Sequence, residues 1–243
     1  MSRFSRISRL SVTGSTNEDI AHILGEEHAG GLTLVADYQE RGSGRKGRSW
    51  IAPPGAALLC TIALPDALPA ADLWVVPFWT ALIVAAAMRE YGAAPVVQWP
   101  NDLLLGGRKV AGILCVSRVI GEYAWVGCGI GVNVLRPSND QLTGITPEPA
   151  FLSDVARVDR DELLHAILRH ADATFDDLSA PPRVAHAWEM TAQIPGTRYR
   201  ISIDGESEPF EATALRLLNG GSLLVDQDGS QREVTLADAR VLR

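Results

Sequence analysis

The stretch Tyr123-Ala-Trp-Val-Gly-Cys-Gly-Ile-Gly-Val-Asn-Val134 decides the fold, because its apolar and β-branched residues predict a buried strand. The glycines at 127, 129 and 131 occupy alternate positions and therefore share one face of that strand. Alternate glycines in a strand indicate that a flat group lies close against the backbone; a bulge or a tight strand crossing gives the same pattern. Both interpretations stay open from these residues alone.

Further strands are predicted for five segments with apolar runs of strand length, residues 5–12, 32–38, 57–64, 96–99 and 109–117. Helical spacing predicts helices at 16–24, 77–91, 158–178 and 183–190. Ser15 or Thr16 is expected to cap the first helix and Asp159 the third, and Pro77 fits the first turn of the second. This order predicts an α/β fold, a mixed sheet with helices on one face.

The pattern changes after Pro195-Gly196, where short alternating runs are separated by turns such as Asp204-Gly205 and Gly220-Gly221. Short strands joined by glycine turns predict a small antiparallel β-barrel. We therefore divide the chain into a catalytic domain at 1–194 and a C-terminal barrel domain at 195–243.

Composition sets limits on the class of protein. The 243 residues are 47% hydrophobic and 21% charged, which is ordinary globular composition and excludes disorder. A net charge of −7 argues against non-specific binding of nucleic acid. Cys60, Cys115 and Cys128 lack metal-site spacing and are expected to be buried thiols in a reducing compartment. The start of the chain lacks the apolar core of a signal peptide, and the apolar stretch 73–88 is expected to be too short to span a bilayer. We expect a soluble cytoplasmic protein with no membrane contact.

The segment Arg41-Gly-Ser-Gly-Arg-Lys-Gly-Arg48 is the most informative chemically, since half of its residues are cationic in an acidic protein. Its glycines allow close approach of the backbone to a ligand, and the cations favour a polyphosphate or a carboxylate. A solvated surface turn is the alternative. The segment matches neither a P-loop nor a dinucleotide fingerprint.

Two more polar segments are candidates. Asn101 and Asp102 follow a predicted strand, and Lys109 opens the next one after the turn Gly106-Gly107. A hairpin there would bring Asp102 and Lys109 close together, although each alone fits turn or strand-end chemistry. The segment Gly14-Ser-Thr-Asn17 is typical first of a helix cap, and its hydroxyl and N–H groups can also hold a small polar ring.

Together these segments resemble the biotin protein ligase family. The matching motifs, in family order and spacing, are Gly-Ser-Thr-Asn (14–17), Tyr-Gln-Glu-Arg-Gly-Ser-Gly-Arg-Lys-Gly-Arg-Ser-Trp (38–50), Trp-Pro-Asn-Asp (99–102), Lys-Val-Ala-Gly-Ile-Leu (109–114) and Gly-Ile-Gly-Val-Asn (129–133). The resemblance implies a catalytic domain of the class II synthetase and biotin–lipoate ligase type, followed by an SH3-like barrel. It implies that biotin and ATP react to biotinyl-5′-AMP with Mg²⁺ present, and that a lysine of a biotin carboxyl carrier protein then receives the biotin.

The resemblance also implies residue roles. The implied catalytic residues are Lys109, Arg45 and Asp102. The implied biotin-binding residues are Ser15, Thr16, Asn17, Gln39, Gly42, Ser43, Gly44, Arg45, Lys109 and Gly112. The implied ATP- or adenylate-binding residues are Arg45, Arg48, Trp50, Asn101, Lys109 and Asn133. Metal ligands are left unassigned.

Within those sets, Ser15, Thr16 and Gln39 are implied to bind the ureido ring, and Lys109 to contact the carboxylate and the α-phosphate. Trp50 is implied to cover the adenine and Asn133 to bind its edge. Asp102 is implied to steer the acceptor lysine or the metal.

Two departures remove positive charge from the implied site, because the family usually has Arg where this chain has Ser43 and Lys where it has Gln98. One lost charge-assisted contact costs on the order of 1.5–3 kcal/mol, so Lys46, Arg41 or Mg²⁺ are candidates for compensation. Some bacterial members carry an N-terminal DNA-binding domain. Here the first motif begins at residue 14, so we expect a ligase that does not bind DNA.

Two alternatives remain. Lipoate-type protein ligases share the fold and the adenylation chemistry, although the basic loop followed by Trp50 favours biotin. A weakened, non-catalytic homologue would bind biotin or its adenylate as a sensor, or would bind a partner through the barrel. RNA is disfavoured there, because 196–243 has no basic-aromatic face. The residues leave open whether the protein is a monomer or a homodimer.

Overall fold

A large mixed sheet and a smaller antiparallel sheet organise the computed structural model, which describes residues 2–138, 147–237 and 239–242. Met1 and Arg243, the outer ends of the two predicted domains, lie outside the described residues. The mixed α/β class with a second, antiparallel sheet is as predicted.

The large sheet has the order β1-β2-β3-β8-β7-β6-β5, and the short β4 pairs with β8. The β1–β2 pairing is parallel and the other pairings are antiparallel. Its strands are β1 (Arg6–Thr13), β2 (Leu32–Gln39), β3 (Ala57–Ala63), β4 (Leu68–Pro69), β5 (Val96–Gln98), β6 (Asp102–Leu105), β7 (Arg108–Ile120) and β8 (Tyr123–Asn133). Strands β1 and β5 therefore form the two ends of the hydrogen-bonded order.

The helices lie on both faces of this sheet, so the expectation that they share one face is wrong. The described α-helices are α1 (Thr16–Ile23), α2 (Val76–Glu90), α3 (Arg160–Thr174) and α4 (Pro181–Ala192). Helices α2, α3 and α4 pack in the main core, whereas Ile20 of α1 packs on the opposite face, in a smaller cluster with Leu34 and Ala63. Helix α1 packs closely on the face of β8 that carries the glycines. A Cβ atom at Gly127 would lie 2.8 Å from Ile20 Cγ2, so glycine is needed there for this close packing.

Helix α2 is apolar nearly all round and forms the centre of the main core. Together with the preceding 3₁₀ turn it forms Ala70–Glu90, which is 21 residues long and, by length and composition alone, apolar enough to cross a membrane. This helical stretch is longer than the apolar run 73–88 to which the expectation refers. The described residues bury 61% of its apolar window inside the protein, as expected for the core helix of a folded domain.

The C-terminal sheet is antiparallel, with the order β12-β11-β10-β9-β13. Its strands are β9 (Arg198–Ile203), β10 (Phe210–Leu217), β11 (Leu223–Gln227), β12 (Ser230–Val234) and β13 (Ala239–Leu242). Its buried residues join the main core, where Trp188 of α4 packs edge-to-face on Phe78 of α2 at 5.1 Å. Barrel closure and the division at residue 195 stay predictions.

Most elements agree with the sequence analysis within a few residues. Asp159 caps α3 by accepting from the Glu162 N–H at 2.7 Å, as expected. Ser15 occupies the N-cap position of α1, but its side chain makes no capping hydrogen bond. Asp102 begins strand β6, which the sequence analysis missed, rather than a loop.

Candidate active site

The glycines of β8 form the floor of the candidate site, and different groups lie against them. A Cβ at Gly129 would meet the Asn17 amide at 2.2 Å, and one at Gly131 would meet the Trp50 indole at 2.8 Å. Gly112 of β7 pairs with Gly131, and a Cβ there would also lie 3.0 Å from that indole. The flat group indicated by the alternating glycines is therefore, at Gly131, the protein's own Trp50.

A cavity of about 290 Å³ lies between this floor and the segment 43–51. Its lining joins the first helix, the glycine loop and the β7–β8 floor. The lining residues are Ser15, Thr16, Asn17, Gln39, Ser43, Gly44, Arg45, Arg48, Ser49, Trp50, Ile51, Leu59, Cys60, Asn101, Lys109, Gly112, Ile113, Leu114, Gly129, Ile130, Gly131, Asn133, Pro147 and Pro149. The predicted site residues thus line one cavity, apart from Gly42 and Asp102.

The polar end of the cavity is fixed by a buried hydrogen-bond network. Gln39 Oε1 accepts from the Thr16 N–H at 2.8 Å and from Thr16 Oγ1 at 3.0 Å. The buried Thr61 hydroxyl lies 2.8 Å from both Thr16 Oγ1 and Asn17 Oδ1, and Asn17 Nδ2 donates to the Leu114 carbonyl at 2.9 Å. Because these groups hold one another, they present a rigid polar surface rather than mobile side chains.

The cationic end centres on Lys109, whose ammonium lies 2.6 Å from the Asp102 carboxylate. Asp102 pairs with Gly112 and Leu104 with Lys109, so β7 carries one extra residue between these pairs. Such a bulge reverses the alternation of side chains and turns Lys109 to the same face as Gly112. Gly112 has no side chain, and this leaves room for the Lys109 ammonium. A Cβ atom at residue 112 would lie only 3.0 Å from Lys109 Nζ.

Burial lowers the pKa of Lys109 to about 8, and the charges of Arg48 and Arg45 act in the same direction. The Asp102 carboxylate acts in the opposite direction, because it favours the ammonium form. Burial, followed by the charge of Arg48, also lowers the pKa of Arg45. Arg45, Arg48 and Lys109 therefore bring positive charge together at one cavity, which favours the binding of an anion.

The glycine loop is held at several points. Ser43 and Ser49 form an isolated antiparallel bridge around a 3₁₀ turn at Arg45–Gly47. Arg41 donates to Glu18 of α1 at 2.9 Å, and Lys46 pairs with Asp204 at 2.7 Å. Arg41 and Lys46, the two candidates to replace the missing cations, are thus both paired with carboxylates.

Two implied nucleotide-binding amides also have structural partners. Asn101 Nδ2 donates to the Ile113 carbonyl at 2.6 Å, and Asn133 Nδ2 donates to the Ala150 carbonyl at 3.2 Å. These bonds fix the segment before β6 and the end of β8 relative to Lys109. Contact of either amide with a nucleotide stays a prediction.

Trp50 separates the first cavity from a second one of about 600 Å³, which Gly42, Tyr38, Pro53 and Phe151 help to line. The Lys109 ammonium lies 5.3 Å from the centre of the Trp50 ring, within the range of a cation–π contact. Among the described residues, Trp50 Nε1 is buried with no hydrogen-bond partner. The indole therefore lines the cavity while its N–H donor is buried and unused among the described residues.

Four contributors to the site were not predicted from the sequence: Thr61, through its hydrogen bonds, and the apolar lining residues Leu59, Ile113 and Ile130. The strand pattern around these residues predicts only a buried strand. Their part in the site follows from the register of β3 and β7 on β8.

Comparison with known proteins gives a consistent result. The model of the biotin/lipoate A/B protein ligase family matches residues 10–133. Biotin–[acetyl-CoA-carboxylase] ligase of Mycobacterium tuberculosis is 27% identical over 100% of this chain and 91% of its own length. The bifunctional ligase/repressor BirA of Escherichia coli is 30% identical over 92% of this chain and 70% of its own length.

Among solved structures, biotin protein ligase from Aquifex aeolicus, in complex with biotin and ATP, superposes with a TM-score of 0.78. It is 22% identical and covers 99% of this chain and 100% of its own. At this identity the likeness shows the fold.

Proposed function

Because the chain belongs to the biotin/lipoate A/B protein ligase family, we propose that it activates biotin with ATP as biotinyl-5′-AMP and transfers the biotin to a lysine of a carrier protein. Similarity to the relatives named above identifies the chain as a biotin protein ligase. The identity of the carrier protein and the roles of individual residues are our proposal. One observation supports the proposed residue roles most directly. Arg45, Arg48 and Lys109 line the same cavity as Ser15 and Gln39.

The first step requires two anions to approach each other. A biotin carboxylate oxygen attacks the α-phosphorus of ATP, and the bond from that phosphorus to the bridging oxygen breaks to release pyrophosphate. Positioning and charge neutralisation are the main tasks of the enzyme in such a transfer. We assign them to Lys109, at the carboxylate and the α-phosphate, and to Arg45 and Arg48, at the leaving phosphates.

The polar end of the cavity suits the ureido ring of biotin. Gln39 Oε1 already accepts two hydrogen bonds from Thr16, so its NH₂ group remains to donate to a carbonyl oxygen of the ligand. The Ser15 hydroxyl lines the cavity and makes no capping bond. These groups, held by Thr61 and Asn17, support the roles assigned to Ser15, Thr16 and Gln39.

In the second step the carrier's lysine amine attacks the carbonyl carbon of the mixed anhydride, AMP leaves and the amine loses a proton. The relatives' names point to acetyl-CoA carboxylase as the source of the carrier. Asp102 lies 2.6 Å from Lys109 in the site and can orient the incoming lysine by accepting a hydrogen bond from its amine. An end strand of the large sheet, β1 or β5, offers free backbone groups for the carrier or for a second subunit.

We expect Mg²⁺ to bind at this site together with ATP. Such ions are usually held by substrate phosphates with one or two carboxylates rather than by a protein cage. Of the residues that the structure describes, none form a group of three or more His, Cys, Asp or Glu side chains placed to hold a metal. Asp102 would supply the carboxylate, and the ion would neutralise phosphate charge. We expect the reaction to occur in the cytoplasm, where the reducing conditions suit the three free thiols.

The test is a mass spectrum of a biotin carboxyl carrier domain incubated with this protein, ATP, Mg²⁺ and either biotin or lipoate. We expect the carrier to gain the mass of one biotinyl group, only when ATP is present and only when its acceptor lysine is intact. A gain with lipoate and none with biotin would identify a lipoate ligase. Binding of biotin with no modification and no pyrophosphate release would identify a non-catalytic homologue.

A further inference from the structure

The C-terminal sheet contacts the glycine loop through two consecutive residues. Lys46 Nζ lies 2.7 Å from Asp204 Oδ2, and Arg45 Nη2 donates to the Leu236 carbonyl oxygen. Asp204 follows β9 and Leu236 follows β12, so two separate parts of the C-terminal sheet reach the same turn of the loop. Neither contact can be foreseen from local sequence, since the partners are more than 150 residues apart.

The backbone at Lys46 supports a positioning role for this contact. Lys46 has a φ of 57°, in the left-handed region that costs a non-glycine residue about 1–2 kcal/mol. Gly47 follows with a φ of 69°, so the loop reverses at these two residues. The conformation directs the Lys46 side chain toward Asp204 while Arg45 lines the cavity.

The C-terminal sheet also holds the other side of the site. Trp99 is buried, and its Nε1 donates to the Gly221 carbonyl at 3.0 Å. Trp99 precedes Asn101 and Asp102, and Asp102 lies 2.6 Å from Lys109. The C-terminal sheet region therefore contacts, and helps to hold in place, both the glycine loop and the segment that carries Asp102.

We infer that Asp204 is a positioning residue: through Lys46 it anchors the glycine loop to the C-terminal sheet and so holds Arg45 and Arg48 at the cavity. Lys46 then serves as an anchor of the loop and not as a replacement for the missing phosphate-binding arginine at Ser43. This inference rests on the proposed function for its effect on ATP, but the anchoring itself can be measured without any ligand.

The ligand-free experiment is limited trypsin digestion of the full-length protein, with the rate of cleavage after Arg48 followed by mass spectrometry. Asp204→Asn is compared with Glu206→Gln, a matched control in the same β9–β10 connection whose carboxylate pairs with Arg232 of β12. Cleavage after Arg183 of α4 serves as the internal reference. We expect Asp204→Asn to speed cleavage after Arg48 about two- to fivefold, the range set by a partly exposed ion pair, with Glu206→Gln unchanged.

Charge reversal separates anchoring from a general loss of structure. Lys46→Glu should speed cleavage after Arg48, and adding Asp204→Lys should return it toward the wild-type rate. Equal rates for wild type and Asp204→Asn, or an equal increase after Arg183, would overturn the inference.

With ligands, Asp204→Asn should raise the KM for ATP about two- to fivefold and leave kcat within twofold. If Lys46 instead binds phosphate and Asp204 merely withholds it, the same variant lowers that KM, which also overturns the inference. If the wild type forms no adenylate, the proposed function fails while the cleavage result still decides the anchoring.

Discussion

The ammonium of Lys109 and the carboxylate of Asp102 lie 2.6 Å apart on neighbouring strands, on the face of the sheet that carries the cavity. The pair brings together a cation whose pKa burial lowers to about 8 and a carboxylate, which by its negative charge favours the ammonium form. It therefore predicts how the reaction depends on pH.

The first half-reaction should slow as the pH rises through about 8, because Lys109 loses its proton there. Below that pH the ammonium is present and, in the proposed mechanism, faces the carboxylate and the phosphate. Pyrophosphate release without carrier measures this step apart from the acceptor lysine. Lys109→Arg, which stays charged, should be slower and should lose the falling limb; a falling limb at the same pH in that variant would show that another group titrates.

Asp102→Asn should move the same falling limb to lower pH, because an amide no longer favours the ammonium of Lys109. The sign follows from the positive charge of Lys109: removal of a neighbouring anion lowers its pKa further. The measurement is again the pH profile of pyrophosphate release. A shift to higher pH would contradict the role given to this pair.

Gly131→Ala and Gly127→Ala separate the site from the core on one face of one strand. A Cβ at 131 meets the Trp50 indole at 2.8–3.1 Å, so this variant should displace the ring, change its fluorescence and raise the KM for ATP about tenfold. A Cβ at 127 meets Ile20 at 2.8 Å, Val116 at 3.0 Å and the Thr61 methyl at 3.2 Å, and none of these is the indole, so this variant should lower the free energy of unfolding by about 1–3 kcal/mol and leave the KM for ATP nearly unchanged. Equal effects of the two variants on KM would contradict this division.

Thr61→Val should weaken the polar end of the cavity. It leaves the oxygens of Thr16 and Asn17 without the hydroxyl that lies 2.8 Å from both, which costs about 1–3 kcal/mol of stability and raises the KM for biotin. Thr80→Val is the matched control, because the Thr80 hydroxyl bonds the Val76 carbonyl within α2. A biotin KM that rises equally in both variants would show a general effect.

Local pattern predicted much of this arrangement. The alternating glycines of β8 predicted a close approach on one face, and the Gly106-Gly107 turn predicted the hairpin that joins Asp102 to Lys109. Both features depend on residues close together in the chain. The motifs likewise pointed to residues that line one cavity.

Other features depend on tertiary contacts that no local pattern encodes. The extra residue at Val110, which turns Lys109 toward the cavity, arises from the pairing of β7 with β6. The position of α1 opposite α2 depends on which face of β8 has glycines and where the main core lies. The contacts of the glycine loop with the C-terminal sheet join parts of the chain more than 150 residues apart.

In the proposed mechanism, Arg45 and Lys109 act on the same activated acyl nucleotide. Formation of biotinyl-5′-AMP in the absence of carrier tests this most directly. The adenylate is quantified by mass spectrometry after a single turnover of wild type and of Lys109→Ala. We predict that the wild type accumulates the adenylate and that Lys109→Ala forms it at least about 100-fold more slowly, a loss of about 2.7 kcal/mol of transition-state stabilisation. Equal rates in the two proteins, with folding intact, would contradict the account.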